Sequence, residues 1–176
     1  MSEQPKDSDL RRAAIAGEPE ALSLLYHRHA EAVYRMAFRL TESSADAQDV
    51  VQDVFVGLPE ALRSFRGEGS LQGWLKKLAA RSALMRLRSQ RDRREVPLAA
   101  FGHLLHRGEA TPVDRMSLER AIAALPEEIR VVVVLKEIEG FSHREIADLL
   151  GITRAYSEVR HYRGLRALRA NLRSDR

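Results

Sequence analysis

The segment from Phe141 to Leu172 constrains the fold most, because it predicts two helices that meet at a glycine turn. Ser142 can cap the first helix, and Glu145, three residues later, can complete a capping box. Gly151 follows where a helix end commonly needs a left-handed residue, and Thr153 can cap the next helix. The pattern predicts a helix-turn-helix, a motif whose second helix can enter a DNA major groove. An ordinary helical hairpin with a solvated basic face is the alternative interpretation.

The composition favours helices over the whole chain. Only 10 Gly and 6 Pro occur among 176 residues, while Ala, Leu, Arg and Glu are abundant. We therefore expect an all-α fold of two small helical domains joined by a flexible linker, with the helix-turn-helix in the second domain. The predicted divisions are a disordered tail at 1–9, a first domain at 10–94, a linker at 95–115 and a second domain at 116–176.

Four consecutive valines, Val131 to Val134, favour a strand by propensity alone. Helix signals enclose them closely, with Pro126 suited to a first helical turn and Gly140 suited to the helix end. We predict a helix across this segment.

Basic residues are concentrated in two segments, although the formal net charge is only +4. Residues 76–94 contain eight basic residues and one acidic residue, and residues 154–176 contain seven Arg and two acidic residues. Two separate basic segments suggest two contacts with a polyanion, for which nucleic acid is the simplest candidate. A solvated charged face is the alternative.

An acidic stripe is predicted on the helix that Ser43 can cap. Asp46, Asp49 and Asp53 lie three or four residues apart, so they share one helix face. Nothing in the surrounding sequence would desolvate one of these carboxylates, which makes a general acid and base pair unconvincing. A partner-binding face or a solvated face is the better interpretation.

Several classes of protein are disfavoured by what the sequence lacks. The absence of Cys excludes disulfides and thiolate metal sites and fits a reducing cytoplasm. His103 and His106 have only Glu109 close by, so we interpret them as exposed linker residues and predict no metal.

The longest apolar run, Val131 to Leu135, is too short to cross a bilayer, and the N-terminus does not resemble a signal peptide. We find no phosphate-binding loop and no nucleophile elbow, and we predict neither an enzyme nor a cofactor.

Three motifs, in this order, resemble bacterial RNA polymerase sigma factors of the extracytoplasmic-function (group IV) type. The first is DAQDVVQDVF at Asp46–Phe55. The second is Phe65 followed by GSLQGWL at Gly69–Leu75 and a basic helix, and the third is LPEEIRVVVVLKEIEGFSHREIADLLGI at Leu125–Ile152. The resemblance extends over about residues 20–172 and is far more specific than a helix-turn-helix alone.

The resemblance implies a dissociable transcription initiation subunit that binds core RNA polymerase and directs it to specific promoters. The first domain would be sigma region 2 and the second would be sigma region 4. The face that would bind the clamp helices of the beta-prime subunit comprises Asp46, Asp49, Gln52 and Asp53. The residues that would hold the melted minus-ten DNA are Phe65, Trp74, Lys76, Lys77, Arg81, Arg86 and Arg88.

For Trp74 and Phe65, base stacking and a place in the core remain alternatives. On the recognition helix, the resemblance and the helical spacing indicate Arg160 and Arg163 as base readers. The complete predicted minus-thirty-five set is Arg154, Glu158, Arg160, Tyr162, Arg163 and Arg166. The family also often has an anti-sigma factor as a partner.

The chain departs from the family pattern at several positions. Arg81 and Met85 stand where Asn and Asp are usual. Pro59 replaces a common aromatic and is expected to end the clamp-binding helix early. Ala155-Tyr156-Ser157 replaces Gly-Thr-Val, Glu158 stands where a basic residue is usual, and His161 stands where an apolar one is usual. The face formed by Ser157, His161, Gly164 and Leu168 should therefore pack less firmly at its start.

Two further hypotheses remain open from the sequence. One is a sigma-like mimic that titrates an anti-sigma factor without promoting transcription. The other is a stand-alone helix-turn-helix regulator, which would have no need of the acidic stripe.

Overall fold

The computed structural model describes residues 5–94 and 113–174, which form helices and turns without any strand. The predicted all-α fold is confirmed. The chain divides into two compact units, of which the first ends at Arg86 and the second begins at Leu87. His103, His106 and most of the predicted linker lie outside the described residues.

The first unit begins with a short helix followed by a long one. Helix α1 spans Asp7–Ile15 and helix α2 spans Pro19–Thr41. Gly17, with φ of +87°, lies between them, and Pro19 begins α2 at a position where a missing N–H is tolerated.

Helix α1 begins at Asp7, inside the segment expected to be a disordered tail. Asp7 and Asp9 lie in its first turn, where carboxylates stabilise a helix N-terminus. Arg28 of α2 donates a hydrogen bond to the Asp7 carboxylate, and His29 Nε2 lies 3.5 Å from it. These contacts of Asp7 hold the start of α1 against α2.

Helix α3 spans Ser44–Val56, and the short helix α4 spans Leu58–Ser64. The Ser43 hydroxyl accepts a hydrogen bond from the Asp46 amide at 3.2 Å, as the predicted cap requires. Pro59 lies in the first turn of α4, so the break after Val56 agrees with the expectation that α3 ends early. The core between these helices is formed by the buried side chains of Leu25, Val33, Met36, Leu40, Val50, Val54, Leu58 and Leu62.

Helix α5 spans Leu71–Arg94 and carries the first basic segment. Ser70 precedes it, and its hydroxyl accepts a hydrogen bond from the Gly73 amide at 3.0 Å. The boundary between the two compact units falls inside this helix.

The second unit continues with α6, Val113–Ala123, which begins three residues before the predicted start of the second domain, and with α7, Glu127–Val133. A π-helical turn at Val134–Ile138 extends α7, and the Glu139 amide donates to the Val134 carbonyl at 3.1 Å. The four valines are helical and buried, as predicted. Their burial in the core of this unit explains why β-branched residues occur in a helix here.

Helices α8, His143–Leu150, and α9, Arg154–Ser174, form the predicted helix-turn-helix. Ser142 and Glu145 form the predicted capping box, with hydrogen bonds of 3.2 and 2.9 Å. Gly151 is left-handed with φ of +67°, and the Thr153 hydroxyl accepts from the Tyr156 amide at 3.1 Å. The predicted caps and turn are confirmed.

Within the described ranges, no helix is both long enough and apolar enough to span a membrane.

Candidate partner and nucleic-acid interfaces

The exposed face of α3 carries a polar stripe along successive turns. Asp49, Gln52 and Asp53 are exposed, whereas Asp46 is half-buried in the first turn. Val56 continues the stripe and is 75% exposed, although sequence reasoning did not include it. Its position seven residues after Asp49 was the available signal. We define these five residues, Asp46, Asp49, Gln52, Asp53 and Val56, as the α3 stripe.

A largely apolar groove of about 650 Å³ runs beside the α3 stripe, between α2 and α3. Tyr26 and Phe55 meet in the groove, with an edge-to-face contact at 5.0 Å between ring centroids. Phe55 is only half-buried, because its ring lines this groove. Other lining residues are Leu22, Tyr34, Gln48, Val51 and Gln52.

Arg86 of α5 contacts the α3 stripe, although the sequence assigned it to minus-ten DNA. Its Nη1 donates to Asp49 Oδ2 at 2.8 Å, and its Nη2 donates to Asp53 Oδ2 at 2.7 Å. The hydrogen bond to Asp53 raises the pKa of Arg86 above its usual value, with the nearby carboxylates contributing through their charge. The two partners lie 33 and 37 residues before Arg86 in the chain, so helix periodicity gave no signal for this pairing.

Three of the other four predicted basic residues of α5 are more accessible. Lys77, Arg81 and Arg88 are exposed, and Lys76 is half-buried. Because their side chains extend from one helix, they offer cationic groups that could follow a phosphate backbone.

Phe65 and Trp74 lie together at the start of α5. Their ring centroids are 5.1 Å apart, and Phe65 is only 7% exposed, whereas Trp74 is half-buried. The Arg11 guanidinium lies 5.0 Å from the centre of the Phe65 ring, and it also donates a hydrogen bond to the Phe65 carbonyl. The ring of Phe65 is therefore covered, and Trp74 is the more accessible aromatic of the two.

The predicted minus-thirty-five residues are all on α9 but differ in their surroundings. Arg160 is only 14% exposed, because it donates to Glu128 at 2.6 Å and lies 4.4 Å from the centre of the Tyr156 ring. Arg163 is exposed and has no hydrogen bond or ion pair to another described residue. Arg154 is exposed and donates a hydrogen bond to Glu158, which is also exposed, at 2.8 Å. Tyr162 and Arg166 are exposed as well, and the Arg166 guanidinium lies 6.0 Å from the centre of the Tyr162 ring.

The inner face of α9 is polar at its start but is buried, with hydrogen bonds in place of apolar contacts. Ser157 is fully buried, and its hydroxyl shares a hydrogen bond of 2.9 Å with His143 Nδ1. His161 Nε2 shares one of 2.7 Å with Glu137, and the two imidazole rings meet edge to face at 5.2 Å. Burial lowers the pKa of His143, and the charges of Lys136 and His161 lower it further.

Family comparisons match both units of the chain. Residues 25–93 match sigma-70 region 2, and residues 115–168 match sigma-70 region 4. Together with the helical fold, these two matches define a protein of the sigma-70 class.

Two curated relatives narrow the class. The chain is 30% identical to the ECF RNA polymerase sigma factor SigM of Mycobacterium tuberculosis, over 83% of this chain and 74% of the relative. It is also 30% identical to the ECF RNA polymerase sigma-E factor of Escherichia coli, over 85% of each. The chain belongs to the extracytoplasmic-function sigma factors, a family of transcription initiation factors.

A solved structure, CnrH in complex with the cytosolic domain of CnrY, has a similar fold. The TM-score is 0.61 at 26% identity, over 97% of this chain and 99% of the other. The sigma factor RpoE of Bartonella quintana, solved with the anti-sigma factor NepR, shares the fold with a TM-score of 0.63 at 21% identity, over 88% of this chain and 98% of the other. None of these findings favours a sigma-like mimic or a stand-alone regulator.

Proposed function

We propose that this sigma factor binds core RNA polymerase through the α3 stripe and places promoter DNA on α5 and α9. The observation that carries the proposal is that matched regions 2 and 4 each present an exposed polar face, on α3 and on α9. The protein acts in the cytoplasm without catalytic activity of its own, since its role is to position DNA for the polymerase.

The α3 stripe suits the clamp helices of the beta-prime subunit because it combines charge with apolar surface. Asp49 and Asp53 supply negative charge that would steer a cationic partner, while Gln52 offers hydrogen bonds. Val56 and the adjoining groove add the apolar contact that usually forms the centre of a protein interface. Asp46 lies at the edge of this surface.

The basic residues of α5 suit the melted minus-ten strand. Lys76, Lys77, Arg81 and Arg88 would contact phosphates, and Trp74 would stack on an unstacked base. Phe65 would support the indole ring from behind, since its own ring is buried. Arg86 is left out of this set because it is held at the α3 stripe.

The recognition helix α9 suits the minus-thirty-five element. Arg163 is the leading base reader, because it is exposed and free to form a bidentate contact with guanine. Arg160 is the second reader and would exchange Glu128 for DNA, while Tyr162 and Glu158 modulate the contact. Arg154 and Arg166 would contact phosphates.

The test is a run-off assay with reconstituted holoenzyme and a library of promoters. Arg163→Ala should lower promoter affinity by about 1–3 kcal/mol and relax the preference at one base position. Arg169→Ala is the matched control, because it removes the same charge from an exposed position further along α9 and should leave base preference unchanged. If Arg163→Ala weakens every promoter equally, Arg163 is not a reader, and if the chain does not bind core polymerase, the proposal fails.

An anti-sigma factor is the second proposed partner. Two sigma factors of similar fold were solved in complexes, CnrH with the cytosolic domain of CnrY and RpoE with the anti-sigma factor NepR. An anti-sigma factor would bind the partly exposed aromatic groove between α2 and α3, where it would compete with the polymerase.

A further inference from the structure

We propose that Arg86 is a positioning residue for polymerase binding, which orients the carboxylates of Asp49 and Asp53 toward the incoming polymerase. The inference rests on the proposed function of the α3 stripe. Arg86 is thereby assigned to the polymerase-binding surface instead of the DNA-binding surface.

The hydrogen bonds explain how Arg86 could set this orientation. Both contacts use the Oδ2 atom of the carboxylate, at 2.8 Å for Asp49 and 2.7 Å for Asp53, and Ser82 donates to the same atom of Asp53 at 3.3 Å. Within the described chain, Oδ1 of Asp49 and Oδ1 of Asp53 accept no hydrogen bond. The side chains of Asp49 and Asp53 remain 53% and 54% exposed, so each carboxylate keeps an accessible oxygen for a partner.

The geometry also explains why a guanidinium is required. Asp49 and Asp53 are one helical turn apart, and like charges at this spacing repel each other. A planar guanidinium can donate to both carboxylates at once from a fixed fork, whereas an ammonium group is a point charge without that fork. Arg86 is only 27% exposed, and its buried Nε has no hydrogen-bond partner among the described residues. The side chain is therefore placed so that its two Nη atoms reach the carboxylates, although Nε is left without an acceptor among those residues.

Arg86 does not neutralise the stripe. Arg86 brings one positive charge to the three carboxylates of Asp46, Asp49 and Asp53, so it cannot neutralise all of them, and the exposed carboxylates can still attract a cationic partner. The expected effect of Arg86 is therefore on the geometry and the strength of the final contact rather than on its sign.

The test measures the dissociation constant of the full chain for core RNA polymerase, without DNA, in a fluorescence titration. Arg86→Met should raise the dissociation constant about three- to tenfold, because the carboxylates lose their shared orientation. Arg86→Lys should give a smaller rise, since an ammonium group holds the pair less rigidly. Circular dichroism of each variant confirms that the helices remain folded.

Arg81→Met is the matched control, because it removes the same charge from an exposed position on the same helix. It should leave core binding unchanged and weaken promoter opening by the assembled holoenzyme. Arg86→Met, once saturated with core polymerase, should show the wild-type salt dependence of promoter binding, since no phosphate contact is lost.

A double-variant comparison separates the inference from the proposed function. In an Asp49→Asn, Asp53→Asn background, Arg86→Met should have no further effect on core binding, because Arg86 acts through these two carboxylates. An undiminished effect in that background would assign Arg86 to packing and overturn the inference. If the Asp49→Asn, Asp53→Asn variant weakens core binding while Arg86→Met leaves it unchanged or tightens it, only the inference about Arg86 fails. If the Asp49→Asn, Asp53→Asn variant binds core polymerase normally, the proposed polymerase-binding face fails as well.

Discussion

Single polar side chains hold the start of the recognition helix α9 against α8 and against the π-helical turn that extends α7. Ser157 is fully buried, yet its hydroxyl has His143 as a partner, and His161 has Glu137. A buried hydroxyl without a partner would cost about 1–3 kcal/mol, so the His143 contact is needed for Ser157 to occupy this position. The start of α9 is consequently sensitive to the protonation of His143.

This arrangement predicts a pH dependence for the second unit. Burial, and after it the charges of Lys136 and His161, lowers the pKa of His143, so the unfolded chain takes up a proton before the folded chain does. The contribution of His143 to stability is full above the unfolded pKa of about 6.5 and is lost as the pH falls through that value toward the lower folded pKa. We expect hydrogen exchange of α8 and α9 amides to show weaker protection at about pH 5 than at about pH 7.5.

The matched variant is His143→Asn, which removes the titrating group. It should flatten the difference in protection between the two pH values for α8 and α9 only. His29 in the first unit also has a pKa lowered mainly by burial, so α2 should retain its own pH dependence and serve as an internal control. Equal pH dependence of α8 and α9 in the wild type and in His143→Asn would contradict the assignment.

At the scale of helices, local signals in the sequence predicted several boundaries. Ser43, Ser142, Gly151 and Thr153 each occur where a cap or turn is needed, and the structure places each of them in that role. These features were predictable because a cap depends on residues only three or four positions apart. The helix start and stop signals at Pro126 and Gly140 likewise predicted that the four valines are helical.

The pairing between helices was not predictable in the same way. Arg86 meets Asp49 and Asp53, and Arg160 meets Glu128, across 32 to 37 residues of chain. A count of charges treats each of these arginines as available for DNA, because tertiary contacts leave no local pattern in the sequence. The candidate sites were therefore predicted as sets of residues. Which members of each set are held by contacts between helices, and which are exposed, became clear only from the fold.

The crossing of α7 and α9 provides a prediction at this scale. A Cβ on Gly164 would overlap Val133 Cγ2 and lie 2.9 Å from Ile129 Cγ2, closer than carbon atoms pack. Gly164→Ala should destabilise the second unit by about 1–3 kcal/mol despite the better helix propensity of Ala, because the two helices must move apart. Urea unfolding of the full chain, monitored by amide exchange in α9, measures this loss.

Val133→Ala supplies the control for this substitution. It removes the Cγ2 atom that the new Cβ would meet, so the cost of Gly164→Ala should be smaller in the Val133→Ala background. The same cost in both backgrounds would show that the close approach of α9 to α7 is not the cause.

At the scale of the whole molecule, the proposed polymerase and promoter contacts divide between the two compact units. The α3 stripe and most of the proposed minus-ten residues lie before Arg86, and the whole proposed minus-thirty-five set lies after Leu87. Region 2 and region 4 are matched separately along the chain, which fits two recognition units with separate cores. Substitutions in one unit should therefore leave the contacts made by the other unit unchanged.

This division predicts that the effects of Arg81→Met and Arg163→Ala on promoter affinity are additive. The two residues lie in different compact units and share no partner, so their free-energy changes should sum to within about 0.5 kcal/mol in holoenzyme saturated with core polymerase. Arg160→Ala with Arg163→Ala is the contrasting pair, because these residues are three apart on α9 and are both proposed as base readers. Equilibrium promoter binding by the single and double variants gives both coupling energies. If the coupling energy of Arg81→Met with Arg163→Ala is as large as that of Arg160→Ala with Arg163→Ala, the two units do not read the promoter independently.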